Sequence, residues 1–281
     1  MRASELLKRY AAGERDFSQV SLWGVNLSRA NLKGINLAQA DLRGANLRGI
    51  VLRQACLEGA NLAEADLTNA HLTGAILAGA HLEGANLTEA NLASADLRQA
   101  LLPQAILNKA NLNGANLSCA DLNNAHLWGA NLCNAKLLDI NLRSANLRGA
   151  YLCQAVLSGE LGEANLSGAN LSWTVLSGTN LKEAILTEAE LNSANLAGAA
   201  LCHAKLRGAD LRGADLSNAD LSDTNLSEAN LAMAKLAGTI FDGAILSGVD
   251  LRGANLSETN LKGVNLLGAN LRGAILPKGF E

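Results

Sequence analysis

Leucine marks a strict five-residue beat along this chain, and the residues around it repeat in kind. Leu falls at 22, 27, 32 and every fifth position through Leu157, with Phe17 one step earlier. The series resumes at Leu161 and runs at fives through Leu276, with Phe241 as one member. Two residues before each centre stands a small residue, usually Ala, and one before it stands Asn or Asp in most units. A five-residue period fits neither the 3.6 of a helix face nor the 2 of a strand. In an extended segment, however, the small residue and the centre share one face and the polar residue between them points the other way. Each unit is therefore read as a short extended side with Leu and Ala buried and Asn or Asp outside.

The remaining two positions predict a corner. Of the 27 glycines, 24 lie two residues after a centre, and both prolines, Pro103 and Pro277, lie one after. Pro then Gly at the central positions is the preference of a type II turn, in which Gly supplies the positive φ. Several other occupants of that slot are Asn, such as Asn69 and Asn124, which tolerate positive φ best after Gly. Extended sides joined by sharp bends must coil, and successive coils can stack as parallel strands about 4.8 Å apart. One unit, in the run 158–164 (SGELGEA), is a residue short. The residue pattern leaves the number of sides per coil open.

Composition fits a narrow lumen. The chain of 281 residues is 49% hydrophobic but only 3% aromatic, because Leu and Ala supply the apolar share. Plentiful apolar residues and a net charge of −3 argue against disorder and against charge-driven binding of nucleic acid. Residues 1–159 carry 14 basic and 12 acidic groups, and residues 160–281 carry 9 and 14. No stretch approaches the roughly 18 apolar residues of a membrane span, and the N-terminal run lacks a secretory pattern. Five cysteines without CxxC spacing read as thiols in a reducing cytoplasm. Cys133 and Cys153 share one slot four units apart and are read as thiols on the same ground.

Runs such as ANLSGANL and ADLRGADLSNADL resemble the pentapeptide-repeat family, A(D/N)LxX. The resemblance covers 15–278 and implies an all-β solenoid: a right-handed quadrilateral parallel β-helix of about 13 coils, four units to the coil, in which Val156 and Val175 stack across the short unit and Cys133 and Cys153 lie within disulfide reach. Residues 1–14 resemble the capping helix of cyanobacterial members, with Ser4 as N-cap, Leu6, Leu7, Tyr10 and Ala11 as its apolar face, and Gly13 at its end. Trp23 is expected beneath it. Residues 279–281 form a tail. The C-terminal end lacks such a helix and is expected to be less covered, so the protein is read as a monomer or as a homodimer through that end.

No catalytic, metal or cofactor constellation emerges. His71 and His81 fall on opposite sides of a four-sided coil, no phosphate loop is present, and a filled lumen offers no pocket. The outward Asn and Asp are expected to satisfy backbone and water. The expected function is a non-catalytic rod acting through contact with an unknown protein partner. The alternative is a DNA mimic binding DNA gyrase or another topoisomerase, as some family members do, though arginines interrupt the acidic stretch 210–228. Candidate contact residues are the bulky outward exceptions: Tyr151, Val156, Trp173 and Val175 beside Glu160 and Glu163, and a second group of Leu101, Pro103 and Ile106. Trp173 has a second reading, as a cover for the short unit.

Overall fold

The computed structural model describes residues 1–279. Phe280 and Glu281, the end of the expected tail, lie outside the described residues. The chain divides into two compact units, Met1–Leu142 and Arg143–Glu281.

In the first unit, helix α1 (Ala3–Ala11) precedes the coils. From there Asp16 pairs in parallel with Asn36, Asn36 with Cys56, and Cys56 with Ile76, each partner 20 residues on. The second unit repeats the register with Asn165↔Ile185 and Ile185↔Lys205. Twenty residues are four five-residue units, so each coil has four sides. Two longer extended segments depart from single-residue pairing, β1 (Lys136–Asn141) in the first unit and β2 (Val156–Glu160) in the second.

The unit satisfies its own backbone, which explains its composition. Taking the unit centred on Leu37, the Leu37 N–H donates to Cys56 O at 2.7 Å and the corner Gln39 N–H to Glu58 O at 2.8 Å. The Asn36 N–H reaches back to Arg15 O at 2.7 Å, and the Ala40 N–H closes the turn on Leu37 O at 3.0 Å. The fifth donor, Ala38 N–H, is taken by the Asn36 side chain at 3.0 Å. Asn or Asp one before the centre is thus an Asx cap on the residue one after it. This gives the expected backbone role of those residues a specific donor. Buried N–H groups need partners, and here all five have one.

Where that residue is not Asn or Asp, the orphan donor is handled differently. After Leu101 the slot holds Pro103, which has no N–H; after Ile275 it holds Pro277. After His126, the Trp128 N–H is accepted by Asn108 Oδ1 one coil below, at 3.0 Å.

The lumen is Leu and Ala, with Phe17 and Phe241 also buried. In the second unit the small slot holds buried threonines whose hydroxyls donate to backbone carbonyls, as Thr174 to Leu171 and Thr224 to Leu221, both at 2.6 Å. From Gln19 to Gly253 the corners take positive φ whatever their residue: Gln39 at 57°, Arg29 at 60°, and Trp173 at 62°, beside Gly44 at 60°. The short unit works because Gly159 serves as corner and small slot together. Its φ is 111°, and its carbonyl accepts the Asn180 N–H at 3.0 Å, the bond an Ala usually takes.

The ends bring corrections. The N-cap of α1 is Arg2, with no side-chain cap, so Ser4 lies inside the helix. Of its expected apolar face, Leu6 is fully buried and Tyr10 half-buried, but Leu7 and Ala11 are exposed. Gly13 follows the C-cap with φ 100°. Trp23 does not pack beneath the helix: it is 71% exposed and lines a shallow hollow with Arg43 and Glu64. The thiol expectation fails for Cys133 and Cys153, which are disulfide-bonded, and stands for Cys56, Cys119 and Cys202.

Candidate functional site

The outward exceptions of the second unit gather around one corner. Tyr151 pairs with Asn170 on the side before it, and Val156 pairs with Val175 on the side after it, each 19 residues apart across the short unit. Trp173 is the corner between those sides on the upper coil. Its N–H is taken by Asn192 O at 3.1 Å, and the Gln154 N–H below donates to Ser172 O at 3.1 Å. Tyr151 is 54% and Trp173 64% exposed, and both valines are more than a third exposed.

Glu160 and Glu163 were expected beside these residues but stand on the next side of the coil. Glu160 accepts the Asn180 side-chain amide at 2.6 Å. Glu163 pairs with Arg143 at 2.6 Å and accepts the Ser144 hydroxyl at 3.1 Å. These contacts, Arg143 foremost, hold its carboxyl below the usual carboxylate range. Both are occupied with local partners.

The second group is less open. Leu101, Pro103 and Ile106 are all half-buried. Leu101 pairs with His81 and Asp121, and Ile106 with Asn86 and His126, on successive sides. Pro103 has a local explanation in the missing Asx cap. Elsewhere in the first unit Trp128 carries the Lys109 ammonium 5.0 Å from its ring centroid. Sequence reasoning passed over Trp128, although its unit lacks Asn or Asp.

Part of the charge is neutralised where it arises. In the recurring triplet Asp-Leu-Arg, the Arg folds back on the Asp two residues before it. Asp41–Arg43, Asp96–Arg98, Asp210–Arg212 and Asp250–Arg252 lie at 2.8, 2.6, 2.6 and 2.7 Å. Bonding to the guanidinium holds each of these carboxyls below its ordinary value. Asp215 pairs with Lys235 and Glu228 with Arg207. The acidic stretch is therefore a mixed surface. Among the described residues no group of His, Cys, Asp and Glu is placed to hold a metal ion, and no helix is long and apolar enough to cross a membrane.

Comparison with known proteins agrees with this architecture. The family profile described as pentapeptide repeats matches in overlapping segments from 16–54 to 239–276, stopping at 159 and resuming at 164 around the short unit. A solved structure of HetL, a pentapeptide repeat protein involved in heterocyst differentiation regulation from the cyanobacterium Nostoc sp. strain PCC 7120, is 34% identical. That match covers 100% of this chain and 99% of HetL, with a TM-score of 0.42. A pentapeptide repeat protein from the Arabidopsis thaliana thylakoid lumen is also 34% identical, over 36% of this chain and 68% of its own, with a TM-score of 0.23. QnrB1, a plasmid-mediated fluoroquinolone resistance protein, is 18% identical over 83% of this chain and 93% of its own, with a TM-score of 0.24. No curated protein matches. With its profile matches running along most of its length and a 34% identical relative covered end to end, the chain belongs to the pentapeptide-repeat family.

Proposed function

We propose that this protein is a non-catalytic scaffold or regulator that binds a protein partner through Tyr151, Val156, Trp173 and Val175. The observation that carries the reading is Trp173. Like the other non-glycine corners it bears the cost of the left-handed region, about 1 kcal/mol relative to Gly; what sets it apart is apolar bulk held in solvent. The indole is 64% exposed, so burial does not offset that cost. The Thr174 hydroxyl beside it is satisfied by Leu171 O and needs no partner from the indole. An exposed aromatic beside two valines is the composition of a contact hot spot. Right-handed winding, residence in the cytoplasm and a state of monomer or of homodimer through the C-terminal end belong to the same reading.

The gyrase-binding alternative asks for a sustained negative surface. The ion pairs at Asp210, Asp215, Glu228 and Asp250 argue for the scaffold reading instead. Trp173→Gly is the sharpest test, because Gly is the natural corner residue. Wild-type and variant baits are compared in lysate pull-downs and by melting. The expected result is a partner lost from the variant with melting unchanged or raised. Identical partner sets would sink the proposal.

A further inference from the structure

One side of the first unit differs from the other three in charge, and it shares with the side of Cys56 and Ile76 a stacked pair of units without an Asx cap. It is the side centred on Leu32, Leu52, Leu72, Leu92 and Leu112. None of its outward or corner positions from 31 to 114 holds Asp or Glu. It carries Lys33 and Arg53 in the same slot on adjacent coils, about 4.8 Å apart, with Arg29 at the corner beside them. All three are exposed and none is ion-paired among the described residues. Arg48, one side away, is tied to Asp66 at 3.1 Å.

The backbone adds an independent feature. On this side the Asx position holds Val51 and His71 in place of Asn or Asp, and these two pair with each other. Among the described residues, the N–H groups of Arg53 and Thr73 consequently have no acceptor. Their carbonyls do serve the ladder, taking Gly34 N–H at 2.9 Å and Gln54 N–H at 3.0 Å. On the coils above, the cap returns: Asn91 and Asn111 take the N–H groups of Ala93 and Asn113, both at 3.1 Å. Two stacked, unclaimed donors thus sit beside two stacked cations, with no carboxylate on the same side. Carboxylate oxygens match both, since charge-assisted bonds to guanidinium and to backbone N–H are the strong ones.

We propose that the side bearing Lys33, Arg53 and the free N–H groups of Arg53 and Thr73 docks an acidic protein segment, an Asp- or Glu-rich stretch of a partner. A nucleic acid is the poorer match: the basic footprint spans two coils, and the whole protein carries a net charge of −3. The proposal rests on the reading of this protein as a protein-binding module, but it uses a different surface from Trp173.

The test is fluorescence anisotropy of a short fluorescein-labelled Glu/Asp peptide titrated with the full chain at low salt. Lys33→Glu combined with Arg53→Glu should weaken binding at least about tenfold, against less than about twofold for the charge-matched control Lys205→Glu with Lys262→Glu. Thr73→Pro removes only an N–H, in a slot that already accepts Pro103. It should weaken binding about threefold with melting unchanged. Equal effects of the two charge reversals, no effect of Thr73→Pro, or tighter binding of a single-stranded oligonucleotide of matched charge would overturn the proposal. Peptide binding retained by Trp173→Gly separates this test from that of the first surface.

Discussion

The first coils and the last coils are built from one repeat and end differently. Phe17 and Leu22 are each 1% exposed, under a helix whose Leu6 is fully buried. At the other end Leu266, Leu271 and Leu276, in the same slot of the same unit, are only half-buried, while Leu267 and Ile275 stand in solvent. The difference teaches what a repeat can supply. Each unit closes its own side and passes its hydrogen bonds to the next coil, but it cannot close the end of a stack. Closure at the first end comes from sequence outside the repeat. The small slot differs as well. Near the first end it holds Val20, Val25 and Ile35, which fill volume; toward the last it holds Thr224, Thr239 and Thr259, which return a hydrogen bond to the backbone.

The comparison can be broken most easily by placing one substitution at both ends. Leu32→Ala should cost about 3 kcal/mol, because the site is sealed, whereas Leu271→Ala should cost about 1 kcal/mol or less. Equal losses in chemical denaturation would show that the last coils are as tightly packed as the first. Leu6→Ala should cost about 2 kcal/mol and loosen the coil of Phe17, read as faster amide exchange there. Asp96→Ala removes the Asx cap and should cost about 1 kcal/mol, while Asp96→Asn keeps the cap, loses only the exposed ion pair and should cost a few tenths. The matching changes at Asp250, nearer the open end, should be smaller.

Acid gives the smallest effect. Asp41, Asp96, Asp210 and Asp250 have carboxyls held below their ordinary value by arginine. A depressed folded value means stability present above the unfolded value, near 3.8, and lost as pH falls through the folded one. Melting should be flat from neutral pH to about 5 and fall below about 4, with a shallower fall in Asp96→Asn.

Much of this was legible in the sequence, for identifiable reasons. The beat of Leu, the small slot and the corner are imposed by burial and by φ, which act on residue type directly. The short unit announced itself as a missed beat, and with the four units per coil that the resemblance implies, counting across it pairs Val156 with Val175, as the structure does. Four sides per coil could not be read from the residues, because all sides have the same composition; the 20-residue register supplied it. The many non-glycine corners were hidden as well. The ladder bonds to the corner N–H impose positive φ on residues such as Gln39 and Arg29, against their preference. The specific donor taken by each Asx cap joins a side chain to a backbone N–H two residues on, a relation no hydrophobic pattern displays. Its trace was present: both prolines follow units that lack Asn or Asp. The helix start was misread for a similar reason, since Ser4 has the right chemistry for a cap but Arg2 supplies the flanking backbone. At the candidate site, Trp173 and the valines were found by being bulky in slots meant for small or polar residues. The acids placed with them were not, because a side of the coil separates residues that are neighbours in sequence.

The central claim is that each coil's core is closed and its ladder bonds are carried by its neighbours, so that only the ends need help. Hydrogen–deuterium exchange on the full chain, resolved by peptide, tests it most directly. The predicted profile is protection uniformly high from the coil of Phe17 through the middle of each unit, falling only over the last coil, from Leu261 onward. Protection that declines equally at the first coil, or that stays high through Leu276, would contradict it.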